Sequence, residues 1–309
     1  MTSPYSDLDR PALHEGALQR ALTGSGGFVS ALRVLPEVDS TNSALMAAAA
    51  DGAPHGSVLV AEVQTAGRGR LGRTWQAPAR SGLFLSVLVR PQQVPPAQWG
   101  WLPLLAGVSA RSAVAAVTRL DVALKWPNDL ILDDAAEVSD SADRTESAAP
   151  APGSAAGPAG ESGYGYGLGR KLGGILVERV TGADPAAVIG IGLNVTLRRS
   201  ELPAPHATSL ALAGAEVTDR DTLLRALLRS FGTWYTEWAA AAGDAERSGL
   251  LSAYRAACAT VGRQVRAELP GGASVSGLAA SVDARGRLVI RTVDGAQTPV
   301  SAGDLVHLR

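Results

Sequence analysis

Lysine and cysteine are both scarce in this chain of 309 residues. Two lysines, Lys125 and Lys171, stand beside twenty-six arginines, so a retained lysine predicts a position that needs a compact ammonium rather than a planar guanidinium. The single cysteine, Cys258, excludes an intramolecular disulfide and any zinc cluster built from several cysteines. This cysteine usage suits a reducing cytoplasm.

Net charge and long apolar runs are also lacking. The formal net charge is -1 and the isoelectric point is about 6.4, which argues against a chain-wide surface for nucleic acid or membranes but leaves a local basic loop open. The N-terminus has no basic segment followed by an apolar one, and no uninterrupted apolar run reaches the roughly 18 residues of a membrane span. We therefore expect a cytoplasmic protein that binds neither nucleic acid nor membranes.

Hydrophobic periodicity predicts a mixed α/β fold with a substantial sheet. The predicted helices cover a leader within residues 1–30, residues 40–50, 102–117 and 219–242, and a further helix up to residue 258. The predicted strands are 58–63, 83–89, 122–126, 130–132, 175–177 and 188–195. Ser40 precedes the second of these helices, where a hydroxyl can cap the free backbone N–H groups.

The chain divides into three predicted parts. A leader helix occupies residues 1–30, a main α/β domain occupies 31–260, and a small antiparallel barrel occupies 261–309, where short alternating runs are broken by turn signals. Residues 134–168 are rich in Ala, Ser, Gly and Pro and have no apolar periodicity. We expect this segment to be a disordered insertion in a loop between two strands.

Three glycines and three arginines are concentrated in residues 67–73, directly after a predicted strand. Glycine permits positive φ and arginine stays charged, so the segment suits a loop that closes over phosphates. A basic surface turn and an RNA-binding patch are the alternatives. The RNA alternative is weakened because only Trp75 adds an aromatic ring and the chain is nearly neutral. No Gly-Lys-Ser/Thr follows, so this is not a Walker phosphate loop.

Five short motifs, in this order, are similar to those of biotin protein ligases. They are Ser40-Thr41-Asn42, residues 64–75, Lys125-Trp126-Pro127-Asn128-Asp129, residues 170–178 and residues 190–195. The resemblance covers residues 30–309 and implies a mixed-sheet catalytic domain related to class II aminoacyl-tRNA synthetases, followed by an SH3-like C-terminal β-barrel. It also implies an ATP-dependent ligase that uses biotin, ATP and Mg²⁺ to form biotinyl-5′-AMP and then transfers biotin to a lysine of a carrier domain.

The resemblance implies roles for individual residues. The implied catalytic residues are Lys171, Arg68 and Asp129: the cations would stabilise charge at the α-phosphate, and the carboxylate would orient or deprotonate the attacking amine. The implied biotin-binding residues are Ser40, Thr41, Asn42, Gln64, Arg68, Gly69, Arg70, Lys171, Gly173 and Gly174. The implied nucleotide-binding residues are Arg70, Arg73, Trp75, Asn128 and Asn194. No residue is implied as a metal ligand.

These roles agree with the chemistry of the ligands. The ureido ring of biotin offers two N–H donors and one carbonyl acceptor in an otherwise apolar body, which suits a few fixed hydroxyl and amide groups. Purely structural roles stay open at several positions: a structural lysine at Lys171, an Asx-type turn at Asp129, a turn at Asn194 and core packing at Trp75.

Two departures from the family pattern bear on function. The insertion at 134–168 replaces a short turn, and the residues before Val34 are too few for the winged helix-turn-helix of bifunctional members. We expect a monofunctional ligase, a monomer or a weak ligand-dependent homodimer, that serves biotin carboxyl carrier domains of acyl-CoA and pyruvate carboxylases. A lipoate or octanoate ligase of the same fold is one alternative. A non-enzymatic, biotin-sensing transcriptional regulator is the other.

Overall fold

The computed structural model describes residues 10–24, 26–132, 169–182, 184–269, 272–301 and 304–308. The insertion predicted at 134–168 lies outside the described residues. The helices in these ranges are α1 (Glu15–Leu22), α2 (Thr41–Ala50), α3 (Leu102–Thr118), α4 (Arg220–Ala240) and α5 (Leu250–Ala257). The strands are β1 (Ala31–Leu35), β2 (Ser57–Ala61), β3 (Gly82–Val89), β4 (Val122–Lys125), β5 (Asp129–Leu132), β6 (Arg170–Val180), β7 (Ala186–Asn194), β8 (Gln264–Glu268), β9 (Ser274–Val282), β10 (Leu288–Arg291), β11 (Gln297–Val300) and β12 (Asp304–His307).

Seven of the described strands form one mixed sheet in the order β1-β2-β3-β7-β6-β5-β4. β1 and β2 are parallel, and the other neighbours are antiparallel. The predicted fold class is confirmed by this sheet together with a separate five-stranded antiparallel sheet. The sequence analysis does not predict β1, because Leu32 is the only buried residue of that strand and no apolar run marks it.

The two faces of the large sheet have different partners. α3 packs on β4 to β7, α4 packs on α3 and β3, and α5 packs on α3 and β4, whereas α2 lies on the opposite face. The alternation along β3 shows the division: Leu83, Leu85 and Val87 belong to the larger core, and Leu88 belongs to a small core under α2. Because α2 is short, it leaves part of its face of the sheet free for a cavity.

One apolar helical segment deserves comparison with a membrane span. Within the described part of the chain, Pro96–Thr118 is long and apolar enough to cross a membrane by length and composition, and 61% of its most apolar window is buried inside the protein. Its main part, α3, contacts two other helices and four strands. These contacts identify it as a core helix.

The five-stranded sheet has the order β11-β10-β9-β8-β12 and is tied to the large sheet by hydrogen bonds. The Trp126 indole N–H donates to the carbonyl oxygen of Gly286 at 3.1 Å, and the Trp126 backbone N–H donates to Thr260 Oγ1 at 3.0 Å. The Trp101 indole N–H donates to the carbonyl oxygen of Ala284 at 2.9 Å. Buried indoles beside β4 and α3 thus join the turn between β9 and β10 to the main domain through satisfied N–H groups.

Both edges of the large sheet have backbone groups bonded to neighbouring segments. On β1, the Leu32 carbonyl accepts from Gln19 Nε2 at 2.9 Å, and the Val34 N–H donates to Glu15 Oε2 at 3.3 Å. On β4, the Leu124 carbonyl accepts from the Ala259 N–H at 2.9 Å. α1 and the segment after α5 therefore lie along the two outer strands.

A buried ion pair connects the N-terminal segment to the start of α4. Arg220 Nη1 lies 2.6 Å from Glu62 Oε2, and its Nη2 donates to the carbonyl oxygen of Pro11 at 2.6 Å. Glu62 Oε1 accepts from the Leu13 N–H at 2.7 Å. Both charges are buried, and each has additional hydrogen-bond partners, so the pair is well compensated for its loss of water.

Candidate active site

A cavity of about 980 Å³, including its open mouth, lies on the α2 side of the large sheet. It is lined by Ser40, Thr41, Asn42, Gln64, Arg68, Gly69, Arg70, Arg73, Thr74, Trp75, Leu85, Lys125, Trp126, Pro127, Asn128, Asp129, Lys171, Gly174, Ile175, Leu176, Gly190, Ile191, Gly192 and Leu305. Every site residue implied by the sequence is in this wall except Gly173 and Asn194. The fold thus brings residues from the start of α2, the glycine-rich loop of residues 67–73, five strands of the large sheet and β12 to one place.

Gly173 faces away from the cavity because of an irregularity in β6. The register with β5 shifts between Leu130 and Ile131, so two successive β6 residues, Leu172 and Gly173, point to the core side. A methyl group on Gly173 would meet the side chains of Leu130 and Leu193. Gly174 alone of the pair therefore lines the cavity, and a direct contact of Gly173 with ligand stays a prediction that this geometry does not favour.

Asn194 ends β7 but does not reach the cavity. Its Nδ2 donates to the carbonyl oxygen of Thr208 at 2.9 Å, and its own carbonyl accepts from the Leu210 N–H at 3.1 Å. Asn194 is buried and holds the segment that follows Ala207. These contacts favour the structural alternative over nucleotide binding at this position.

Two glycines that the sequence analysis assigned no role open the cavity floor. Gly190 and Gly192 alternate along β7 with the core residues Ile189 and Ile191, so they face the cavity. A methyl group on Gly190 would lie 2.3 Å from Asn42 Oδ1, and one on Gly192 would lie 2.7 Å from the Trp75 ring. The signal in the sequence is a pair of glycines at a spacing of two within a strand.

The start of α2 supplies a polar end to the cavity. Ser40 caps the helix, since its Oγ accepts from the Ser43 N–H at 3.4 Å. The Thr41 N–H donates to Gln64 Oε1 at 2.9 Å, which fixes the amide of Gln64 against the helix. Ser86, which the sequence did not indicate, lies 2.8 Å from Thr41 Oγ1 and extends this set of fixed hydroxyl and amide groups.

Both polar atoms of the Asn42 side chain have protein partners. Oδ1 accepts from Ser86 Oγ at 2.6 Å, and Nδ2 donates to Glu178 Oε2 at 2.9 Å and to the carbonyl oxygen of Leu176 at 3.2 Å. Asn42 lines the cavity. Because its side-chain hydrogen bonds go to other protein groups, Asn42 orients the side chains of Ser86 and Glu178.

The opposite end of the cavity carries a cluster of charges around Lys171. Lys171 Nζ lies 2.6 Å from Asp129 Oδ1 and 5.4 Å from the centre of the Trp75 ring. Lys125 lies opposite Asp129 in the backbone register of the β4-β5 hairpin. It is buried and lines the same wall. Both lysines of the chain therefore lie at one site, although the sequence analysis assigned a role to Lys171 alone.

A histidine that the sequence analysis did not consider borders this cluster. Burial, followed by the charges of Lys171 and Lys125, lowers the pKa of His206 below its usual value, while Asp129 opposes these effects. The His206 carbonyl also accepts from the Lys171 N–H at 2.7 Å. Burial is the largest cause, and the two lysine charges add to it; those charges make the potential at this end of the cavity positive, which suits an anionic ligand.

The glycine-rich loop is folded back on itself over the cavity. The Gly69 N–H donates to the Arg73 carbonyl at 2.6 Å, and the Trp75 N–H donates to the Gly67 carbonyl at 2.8 Å. Arg70 Nη1 donates to Asn128 Oδ1 at 3.0 Å, which connects the loop to the β4-β5 turn. These contacts place three arginines of the loop in the cavity wall.

The five-stranded sheet also reaches the cavity. Leu305 of β12 lines the wall, and His307, two residues further along that strand, is buried. Burial, together with the charges of Lys125 and Arg263, lowers the pKa of His307 to about 4. Among the described residues, neither ring nitrogen of His307 has a hydrogen-bond partner.

A cavity that joins fixed hydroxyl and amide groups to a cluster of cations, on one face of a mixed sheet, defines a protein that binds a small organic molecule beside an anionic one. Comparison with known proteins gives the family. The chain belongs to the biotin/lipoate A/B protein ligase family, whose model matches residues 34–195, and the model of the biotin protein ligase C-terminal domain matches residues 260–308. The resemblance found in the sequence is confirmed.

Relatives match over most of the chain. It is 40% identical to the biotin--[acetyl-CoA-carboxylase] ligase of Mycobacterium tuberculosis over 98% of each protein. It is 31% identical to the bifunctional ligase/repressor BirA of Escherichia coli over 91% of this chain and 74% of that protein. Among solved structures, it is similar to the biotin protein ligase of Aquifex aeolicus in complex with biotin and ATP, with a TM-score of 0.65, 25% identity, and coverage of 91% of this chain and 99% of that one.

Proposed function

We propose that this protein is a biotin ligase that forms biotinyl-5′-AMP from biotin and MgATP and transfers the biotin to a carrier-domain lysine. The observation that carries the proposal is one cavity with an amide and hydroxyl end around Thr41 and Gln64 and a cation end around Lys171. Biotin has a ureido group at one end and a carboxylate at the other, so it matches both ends. The names of the relatives support the same substrate.

In the first step, a carboxylate oxygen of biotin attacks the α-phosphorus of ATP, a P–O bond forms, and pyrophosphate leaves. Negative charge is concentrated at the reaction centre, and each cation aimed at it is worth about 10²–10³ in rate. Lys171 and Arg73 line the cavity and supply such charges, and Lys125 adds a third. Arg70 also lines the cavity, but its bond to Asn128 gives it the role of holding the loop. Trp75 lies against Lys171 and offers a flat wall for the nucleotide.

Mg²⁺ enters this proposal as part of MgATP. Among the described residues, no group of three or more His, Cys, Asp or Glu side chains could hold a metal ion. Mg²⁺ is commonly bound by substrate phosphates, water and one or two carboxylates rather than by a protein cage. The residues present therefore fit a metal carried by the nucleotide, which would neutralise phosphate charge.

In the second step, the amine of the acceptor lysine attacks the carbonyl carbon of the mixed anhydride, an amide bond forms, and AMP leaves. The amine must lose a proton to act as a nucleophile. Asp129 is the carboxylate in the cavity wall that can orient or deprotonate it. Its ion pair with Lys171 at 2.6 Å holds the carboxylate beside the cation cluster, which supports this role.

The proposed acceptors are biotin carboxyl carrier domains of acyl-CoA carboxylases, as the name of the Mycobacterium tuberculosis relative suggests, and also those of pyruvate carboxylases. We place the reaction in the cytoplasm and propose a monomer or a weak ligand-dependent homodimer. The domain boundaries at residues 30 and 260 remain part of this proposal; they precede β1 and β8.

The decisive experiment combines the purified protein with MgATP, a carrier domain, and either biotin or lipoate. In the mixture with biotin, we expect pyrophosphate release and a mass increase on the carrier that equals one biotin. In the mixture with lipoate, we expect neither. Activity with lipoate and none with biotin would establish the lipoate ligase instead. Biotin binding without pyrophosphate release, together with a shift of operator DNA in a gel-mobility assay, would establish a transcriptional regulator.

A further inference from the structure

Glu178 of β6 connects two elements of the cavity that are far apart in the sequence. Its carboxylate forms an ion pair with Arg68 of the glycine-rich loop through both oxygens. Oε2 also accepts from Asn42 Nδ2 at 2.9 Å, at the start of α2. Neither the motifs nor the proposed reaction assigns Glu178 a role.

The chain of contacts continues from Glu178 to the polar end of the cavity. Asn42 Oδ1 accepts from Ser86 Oγ at 2.6 Å, and Ser86 lies 2.8 Å from Thr41 Oγ1. The Thr41 N–H in turn donates to Gln64 Oε1. A single carboxylate thus orients the loop arginine and, through Asn42, the hydroxyl and amide groups that face the ligand.

The charge of Glu178 strengthens this arrangement. An ionised acceptor makes shorter and stronger hydrogen bonds than a neutral one, so the carboxylate holds Arg68 better than an amide would. The Arg68 side chain is 45% exposed and that of Glu178 is 23% exposed, so water weakens the pair. The pair can therefore open, and its effect on function is moderate.

We propose that Glu178 is a positioning residue that couples the glycine-rich loop to the biotin end of the cavity. This inference rests on the proposed function, because it assigns the Thr41 and Gln64 end to biotin. Glu178 acts through Arg68 and Asn42 and does not touch the substrate. It sets how well biotin binds, while the cation cluster sets the chemistry.

The test compares Glu178→Gln with wild type and with Glu201→Gln. Glu201 pairs with Arg10 away from the cavity and has the same side-chain exposure, so it controls for the loss of an ion pair. We expect Glu178→Gln to raise KM for biotin about tenfold and leave kcat and KM for ATP within about threefold. We expect Glu201→Gln to match wild type in KM for biotin, kcat and KM for ATP. Wild-type KM for biotin in Glu178→Gln would overturn the proposal.

Two further measurements separate positioning from general structure. A double-mutant cycle compares Arg68→Ala, Glu178→Ala and the double variant. The double variant should raise KM for biotin by no more than the larger of the two single effects, because each change removes the same ion pair. Fully additive effects would overturn the coupling. In ligand-free protein, trypsin should cleave after Arg68 faster in Glu178→Gln than in wild type, and equal rates would also overturn it. This last measurement needs no substrate, so it stands even if the wild type makes no biotin adenylate.

Discussion

Two arginine–glutamate pairs in this protein have the same chemistry and opposite surroundings. Glu62 and Arg220 are 8% and 5% exposed, and further hydrogen bonds to backbone groups surround them. Arg68 and Glu178 are 45% and 23% exposed and border the cavity. The comparison teaches that burial, rather than residue type, decides whether an ion pair belongs to the framework or to the site.

The physical difference lies in the cost of opening each pair. Removing one partner of a buried pair leaves an uncompensated charge and costs about 3–5 kcal/mol. An exposed pair is screened by water and contributes about 0–1 kcal/mol. A framework pair must therefore stay closed in every folded state, whereas the pair at the cavity is free to exchange partners during a reaction.

The largest expected effect comes from breaking the buried pair. Arg220→Leu leaves the Glu62 carboxylate without its partner, and we expect the free energy of unfolding to fall by about 3–5 kcal/mol. Arg68→Leu should lower it by less than about 1 kcal/mol. Urea unfolding followed by circular dichroism measures both. Equal destabilisation by the two changes would contradict the comparison.

Changing the cation cluster should affect activity without affecting the framework. Lys171→Arg keeps the charge and its pairing with Asp129, but the wider guanidinium displaces the charge by about 1 Å, which costs about 10²-fold in rate. Biotin-dependent pyrophosphate release should fall accordingly, while the melting temperature stays within about 2 °C of wild type. Wild-type turnover in this variant would remove Lys171 from the reaction centre.

Acid should weaken the framework through His307, which is buried in β12 near the charges of Lys125 and Arg263. Its pKa is about 4 in the folded protein against about 6.5 when unfolded, so the unfolded chain binds the proton first as the pH falls. The contribution of neutral His307 to the free energy of unfolding is fully present above pH 6.5. It decreases as the pH falls towards 4, by about 2 kcal/mol after allowance for partial screening. His307→Leu should flatten this pH dependence in urea titrations, and an unchanged slope would assign the acid sensitivity to other groups.

The smallest expected effect is on the loop itself. Arg70→Gly removes the bond to Asn128 and should loosen the loop while adenylate still forms within a few-fold of the wild-type rate. Activated biotin should then escape and label bystander lysines. Mixing the variant with albumin, biotin and MgATP and probing with streptavidin measures the escape. Labelling no greater than with wild type, despite adenylate synthesis, would refute retention by the loop.

Local patterns were sufficient to predict much of this molecule. Short apolar runs identified β3 and β7, helical spacing identified α4, and the concentration of glycine and arginine identified the loop over the cavity. Each of these signals lies within one short segment, where side-chain periodicity directly reflects the backbone geometry.

The features that the sequence did not reveal depend on contacts between distant segments. The shifted register opposite Leu130 turns Gly173 to the core, and nothing in the glycine pair itself indicates it. Ser86 and Glu178 act through Asn42, which is more than forty residues from each of them. Leu305 reaches the cavity from the second sheet. Tertiary packing alone brings these residues together.

The contacts along the two outer strands of the large sheet bear on aggregation at high protein concentration. A free strand edge is a template on which other chains can add strands and aggregate. Gln19 and Glu15 bond to the backbone of β1, and Ala259 bonds to that of β4. α1 and the segment after α5 thus occupy part of the two strand edges and hinder the addition of further strands there.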